Sequence, residues 1–235
     1  MSRDLEWDGC YNVRDLGGLA GAAGARTRWG AVVRCDTLDR LSGRGWGSVA
    51  AHGVRTVIDL RTPGEHRVGT GYRPDWLTVI SLPLDDDPAD AGLREYFGTP
   101  VYLRSLLERR PRRCAEVLAA LAAAPAGGVA VHCVAGRDRT GIIALLLLAL
   151  AGVDPHAIAE DYERSGERLR PLYAALGEVD RGGLALGRLA AEGFDTRQAL
   201  VDLAGGLDVA AYLRAAGLSA ADLDTLRARF IGTPE

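Results

Sequence analysis

Apolar positions along the chain gather into short runs bounded by glycine, proline and acidic residues. Ala31-Val32-Val33 leading to Arg34, Val54 to Leu60, Leu77 to Leu84 and Gly128 to Val131 are short and mostly β-branched, which predicts strands. Asn12 to Gly18 reads as a strand end entering a Gly-Gly turn. Ile142 to Ala151 is apolar throughout and predicts a buried helix. Leu38 to His52 predicts a helix beginning near Ser42, weakened by three glycines. Leu93 to Leu107 and Arg112 to Ala124 carry helical periodicity, punctuated by Pro111 and by Pro125-Ala126-Gly127-Gly128. Asp154-Pro155 predicts a helix start, with the acid as cap and the proline in the first turn. Arg164 to Leu203 is interrupted by glycines and predicts several short helices, packed as a bundle or folded as a lid. Val209 to Phe230 predicts two more, the second opening on the capping pattern Ser219 to Asp222.

Composition narrows the picture. The 235 residues suffice for one sizeable core, and a formal charge of −3 leaves no nucleic-acid footprint. The basic residues are all arginine, which reads as a compositional bias. Cys10, Cys35, Cys114 and Cys133 are scattered, with no metal-ligand spacing, so no metal or cofactor is expected. Met1 to Trp7 carries no apolar run, and the longest apolar run is about half a membrane span. A reducing, cytoplasmic setting without integral membrane association is the expectation.

The chemistry concentrates in one stretch, Val131-His132-Cys133-Val134-Ala135-Gly136-Arg137-Asp138-Arg139-Thr140-Gly141. It joins the end of a predicted strand to the start of a predicted helix, where α/β sheets bind ligands and helices attract anions. Cys133 and Arg139 bracket five residues, enough to curl around one phosphate-sized anion. Backbone N–H groups from Val134, Ala135, Gly136, Arg137, Asp138 and Arg139 can form an anion nest. The Arg139 fork can close it. At the bottom of that positive bowl Cys133 is the expected nucleophile, as its thiolate. Gly136 frees the backbone to bend, and Thr140 is expected to cap the following helix and reach the sulfur.

This run matches the His-Cys-x-x-Gly-x-x-Arg-Ser/Thr-Gly motif of the cysteine-dependent protein tyrosine phosphatase superfamily, and within it resembles the bacterial tyrosine phosphatase family. Two further stretches carry the resemblance: Asn12-Val13-Arg14-Asp15-Leu16-Gly17-Gly18, and Asp59-Leu60-Arg61-Thr62-Pro63-Gly64-Glu65. The resemblance implies an α/β fold of the tyrosine phosphatase type. It has a central, mostly parallel sheet of about five strands flanked by helices, a single domain over 1–235, and a candidate helical lid within 164–203. His132, Thr140 and Asp59 are expected to support the site. Asp59 would orient Arg139, Glu65 would pair with Arg61, and His66 reads as a turn residue.

The expected reaction is phosphomonoester hydrolysis through a phosphocysteine, releasing inorganic phosphate. Two candidates compete as general acid. The Asp85-Asp86-Asp87 cluster has the customary position after a strand. Asp138 occupies the position used as acid in the myotubularin lipid phosphatases, and is preferred. Substrates expected from the resemblance are phosphotyrosine, phosphoserine/threonine or phosphoinositides, and Arg137 and Arg139 would suit a multiply phosphorylated headgroup as well as phosphotyrosine. Alternatives are a small-molecule phosphatase acting on a nucleotide or sugar, a rhodanese-like sulfur transferase, and a non-catalytic phosphate-binding module.

Overall fold

A strand covered by helices on both faces needs apolar residues without alternation, and the central strands of this chain have that character. The computed structural model describes residues 2–66, 73–85 and 88–232, with backbone alone at 88–91. Five strands form one sheet: β1 (Arg14–Asp15), β3 (Val32–Cys35), β4 (Val54–Asp59), β5 (Thr78–Ser81) and β6 (Gly128–His132). Their order is β1-β3-β6-β4-β5. β3, β6, β4 and β5 run parallel, and β1 pairs antiparallel at one edge. The expected sheet of about five mostly parallel strands is what forms. β6 lies at its centre and is buried along its whole length.

Helices cover both faces. α1 (Gly43–Ala51) starts as predicted at Ser42, whose hydroxyl accepts from Gly45 N at 3.2 Å. Its Trp46 and Val49 pack with Val13, Val33 and Val57. On the other face α2 (Pro100–Arg109), α3 (Pro111–Ala123), α4 (Asp138–Leu150) and α5 (Pro155–Leu176) surround the larger core. Residues Ile142 to Leu148 of α4 are all buried, as an all-apolar helix should be. α6 (Arg181–Ala191), α7 (Thr196–Gly205), α8 (Val209–Ala215) and α9 (Ala220–Phe230) follow.

Two boundaries differ from the sequence pattern. The helix expected over 93–107 divides into a 3₁₀ stretch, Pro88–Tyr96, and α2. Gly98 turns with φ +83°, Thr99 caps α2 and Pro100 occupies its first turn, so the stop and restart are local. α5 runs on past Arg164 and through Pro171 to a left-handed Gly177, so the short helices expected from 164 onward begin only with α6. A second, two-stranded sheet pairs β2 (Arg26–Thr27) with β7 (Ile231–Gly232), tying the segment before β3 to the residues after α9.

Candidate active site

The parallel register sets the site. His132, the last residue of β6, lies between Cys35 of β3 and Asp59 of β4. The next residue, Cys133, therefore opens a loop at the C-terminal edge of the sheet, flanked by the ends of both neighbours. Thr37 N donates to Val134 O at 2.9 Å, stitching the loop to the segment after β3. Gly136 is left-handed, φ +66°, and a Cβ there would stand 2.3 Å from Cys35 O. Only glycine lets the loop lie this close to β3.

α4 begins at Asp138, with Arg137 in the cap position and no side chain capping. Thr140 is thus inside the first turn rather than its cap, correcting the sequence expectation. Its buried hydroxyl has no hydrogen-bond partner among the described residues. His132 is fully buried, and its Nδ1 lies 2.9 Å from Cys133 O. Its Nε2 is 3.5 Å from Asp59 Oδ2, and burial lowers its pKa, so the ring is neutral at neutral pH.

The two loop arginines are each held by a carboxylate. Arg139 Nη1 and Nη2 donate to Glu65 Oε2 and Oε1 at 2.6 and 2.7 Å. Asp59 instead binds Arg61, at 2.7 Å from Nη2, and accepts from the Arg61 backbone N–H at 3.0 Å. The expected pairing of Asp59 with Arg139 and Glu65 with Arg61 is therefore exchanged. The cause is local: a carboxylate reaches the N–H two residues ahead more easily than a distant loop. Arg137 turns from the loop to Asp180, Nη1 and Nη2 donating at 3.0 and 3.1 Å. Its backbone stays in the loop, while its buried side chain is engaged by Asp180.

Asp138 and Asp85 have different partners. Asp138 accepts from Tyr162 Oη at 2.7 Å and from Gly98 N at 3.0 and 3.1 Å. Burial raises its pKa against the pull of these bonds and of Arg137 and Arg139. Asp85 accepts from Tyr102 Oη. Asp86 and Asp87 lie outside the described residues. Two surface clefts, of roughly 650 and 590 Å³, are lined by neither Cys133 nor Arg139. Among the described residues no group of three or more His, Cys, Asp or Glu is placed to hold a metal ion.

With this geometry in place, the sequence profile of the tyrosine phosphatase family matches residues 5–232. The chain belongs to the tyrosine phosphatase family. It is 35% identical over 176 residues to a Cupriavidus necator protein named as a tyrosine-protein phosphatase, covering 70% of this chain and 64% of that one. It is 29% identical to the triple specificity protein phosphatase PtpB of Mycobacterium tuberculosis over 74% of this chain and 73% of that one. A tyrosine-protein phosphatase of Nostoc commune is 36% identical over 59% of this chain and 49% of its own length. The chain thus spans about half to three quarters of these relatives.

In this member of the family the loop rests on side chains to which the sequence reading gave no role at the site, although Asn12 and Arg14 lie in a stretch that carried the resemblance. Asn12 Nδ2 donates to Ala135 O at 2.9 Å, and Arg34 Nη2 to Gly136 O and Arg137 O at 2.8 and 3.3 Å. Arg14 Nη1 holds Asn12 Oδ1 at 2.6 Å. Asp161 and Ser165, one turn apart on α5, receive both arginines. The available signal was a charge inside an apolar strand, Arg34 after Val32-Val33. A matching pair of polar residues sits four apart beside Ile158 and Tyr162. Among the described residues no helix is long and apolar enough to cross a membrane.

Proposed function

We propose that this protein hydrolyses phosphomonoesters, phosphotyrosine foremost, through a phosphocysteine at Cys133. The observation that carries the reading is one loop that holds Cys133 and Arg139 at the sheet edge. Beside it Asp138 is held by hydrogen bonds from Tyr162 and Gly98, and its burial favours the protonated form against their pull. The Cys133 thiolate attacks phosphorus, and the bond to the leaving oxygen breaks. Asp138 gives its proton to that oxygen. Loop amides and Arg139 hold the three equatorial oxygens, where negative charge spreads in the transition state. Water then attacks phosphorus, the S–P bond breaks, inorganic phosphate leaves, and the water's proton returns to Asp138. No metal enters these steps.

Asp138 is favoured over Asp85 because it opens α4 beside Arg139, at the end of the loop that Cys133 begins. The family membership favours phosphate chemistry over rhodanese-like sulfur transfer, and the retention of both Cys133 and Arg139 favours catalysis over mere binding. PtpB is named for triple specificity, so phosphoserine/threonine and phosphoinositides belong in the substrate panel, with nucleotide and sugar phosphates beside them. Asp180 and α6, which lie within the candidate lid of 164–203, act in this reading as a latch on Arg137 that a bulky substrate must displace. Turnover of a phosphotyrosine peptide above all other substrates in such a panel supports the assignment. Preference for a sugar or nucleotide phosphate would replace it.

A further inference from the structure

Three consecutive carbonyls of the loop, those of Ala135, Gly136 and Arg137, accept hydrogen bonds from Asn12 and Arg34 behind it. A trans peptide carries its N–H opposite its C=O. Holding these carbonyls backward therefore aims the N–H groups of Gly136, Arg137 and Asp138 away from the sheet, toward the space above Cys133.

Charge points the same way. Arg139 faces Glu65 and Arg137 faces Asp180, so each loop arginine is neutralised by its own carboxylate. Behind the loop the balance is different. Arg14 Nε, Arg34 Nη1 and Arg3 Nη2 share the single carboxylate of Asp161, with the side chains of Arg14, Arg34 and Asp161 at most 1% exposed. Burial pushes the Asp161 carboxyl up, but Arg14, Arg34 and Arg3 together pull it below the usual carboxylate range. Burial and then the charge of Arg34 bring Arg14 down to about 9, still protonated at neutral pH. A buried surplus of positive charge destabilises a fold unless something offsets it. An anion seated in the loop would do so.

We propose that Arg34, oriented by Asp161 and Ser165, is a positioning residue of the phosphate cradle. It fixes the Gly136 and Arg137 carbonyls so that the loop amides meet the transferring phosphoryl group, and from behind the loop it adds positive charge to that of Arg139. The inference rests on the phosphatase reading above.

The test compares the wild-type chain with Arg34→Lys and Arg34→Gln, using p-nitrophenyl phosphate as substrate. The readouts are kcat, KM and inhibition constants for inorganic phosphate and orthovanadate. Orthovanadate becomes five-coordinate on the thiolate and reports the equatorial cradle, whereas phosphate reports the ground state. Arg34→Gln should lower kcat and weaken orthovanadate by roughly ten- to a hundredfold, the scale of a lost charge-assisted hydrogen bond, and weaken phosphate less. Arg34→Lys, with charge but no fork, should restore phosphate affinity and leave orthovanadate weak. A folded Arg34→Gln enzyme with the wild-type ratio of the two inhibition constants overturns the proposal. A wild-type chain that neither turns over nor binds orthovanadate overturns the phosphatase reading instead. If Arg34→Gln does not fold, Asn12→Ala removes the support of Ala135 O without removing a charge. It should weaken orthovanadate several-fold more than phosphate, and an unchanged ratio overturns the positioning role.

Discussion

Arg137 reaches 43 residues along the chain to grip both carboxylate oxygens of Asp180, at 3.0 and 3.1 Å. The contact needs a glycine two residues further on: a Cβ at Gly182 would lie 2.0 Å from Arg137 Nη1. The ion pair pulls the Asp180 carboxyl below its ordinary pKa, against its own burial. If this pair latches α6 near the loop, Asp180→Asn weakens the latch. Removing about 1 kcal/mol corresponds to roughly fivefold in an equilibrium. The expected outcome is a KM for a phosphotyrosine peptide lower by that factor, with p-nitrophenyl phosphate changed less than twofold. Steady-state kinetics on both substrates decides it, and equal KM values in wild type and variant for the peptide would discard the latch.

Asp138 gives a pH prediction. A general acid works only while protonated, so turnover of a poor leaving group is complete below its pKa and falls as pH rises through it. Burial places that fall above the ordinary carboxylate range. The Tyr162 hydroxyl favours the ionised form, so Tyr162→Phe should move the fall to higher pH. Asp138→Asn should slow phenyl phosphate by about 10²–10⁴, the usual contribution of a general acid, and erase the falling limb. p-Nitrophenyl phosphate, whose leaving group scarcely needs a proton, should lose far less. An equal loss on both substrates, with the leaving-group effect appearing in Asp85→Asn, would move the acid to the other loop.

Glu65 and Arg139 form the second two-point pair, and geometry rather than charge should dominate. Arg139→Lys keeps the charge but loses the fork, and a kcat lower by about 10²–10³ is expected, as for loss of a transition-state donor. Glu65→Gln leaves Arg139 charged but less firmly oriented, and roughly tenfold in kcat with little change in melting temperature is expected. Single-turnover kinetics and thermal melts check both. Near-wild-type turnover in Arg139→Lys would remove Arg139 from the equatorial clamp.

The loop from Cys133 to Arg139 was legible in the sequence because its chemistry depends on neighbours along the chain. The capped starts of α1 at Ser42 and α5 at Asp154 were legible for the same reason. The pairing of Glu65 and Asp59 was not, since each had two arginines within reach and the choice depends on how the turn at Pro63–Glu65 swings back over the loop. Asp180 was hidden by its distance in sequence from Arg137. Arg34 and Asp161 stood in view as charges in otherwise buried stretches, but their common target, the back of the loop, exists only once β3, β6 and α5 have packed. The pairing of β2 with β7 involves two residues on each strand, too few to leave a pattern.

The central claim is a phosphoryl group carried on Cys133. Rapid quenching of the chain during turnover of p-nitrophenyl phosphate, followed by peptide mass spectrometry, should find phosphate on the peptide containing Cys133 and bonded to its sulfur. Cys133→Ser, which replaces one buried atom and leaves no cavity, should fold, bind inorganic phosphate and show no turnover. Phosphate found on His132 or on no residue, or turnover retained in Cys133→Ser, would contradict the mechanism.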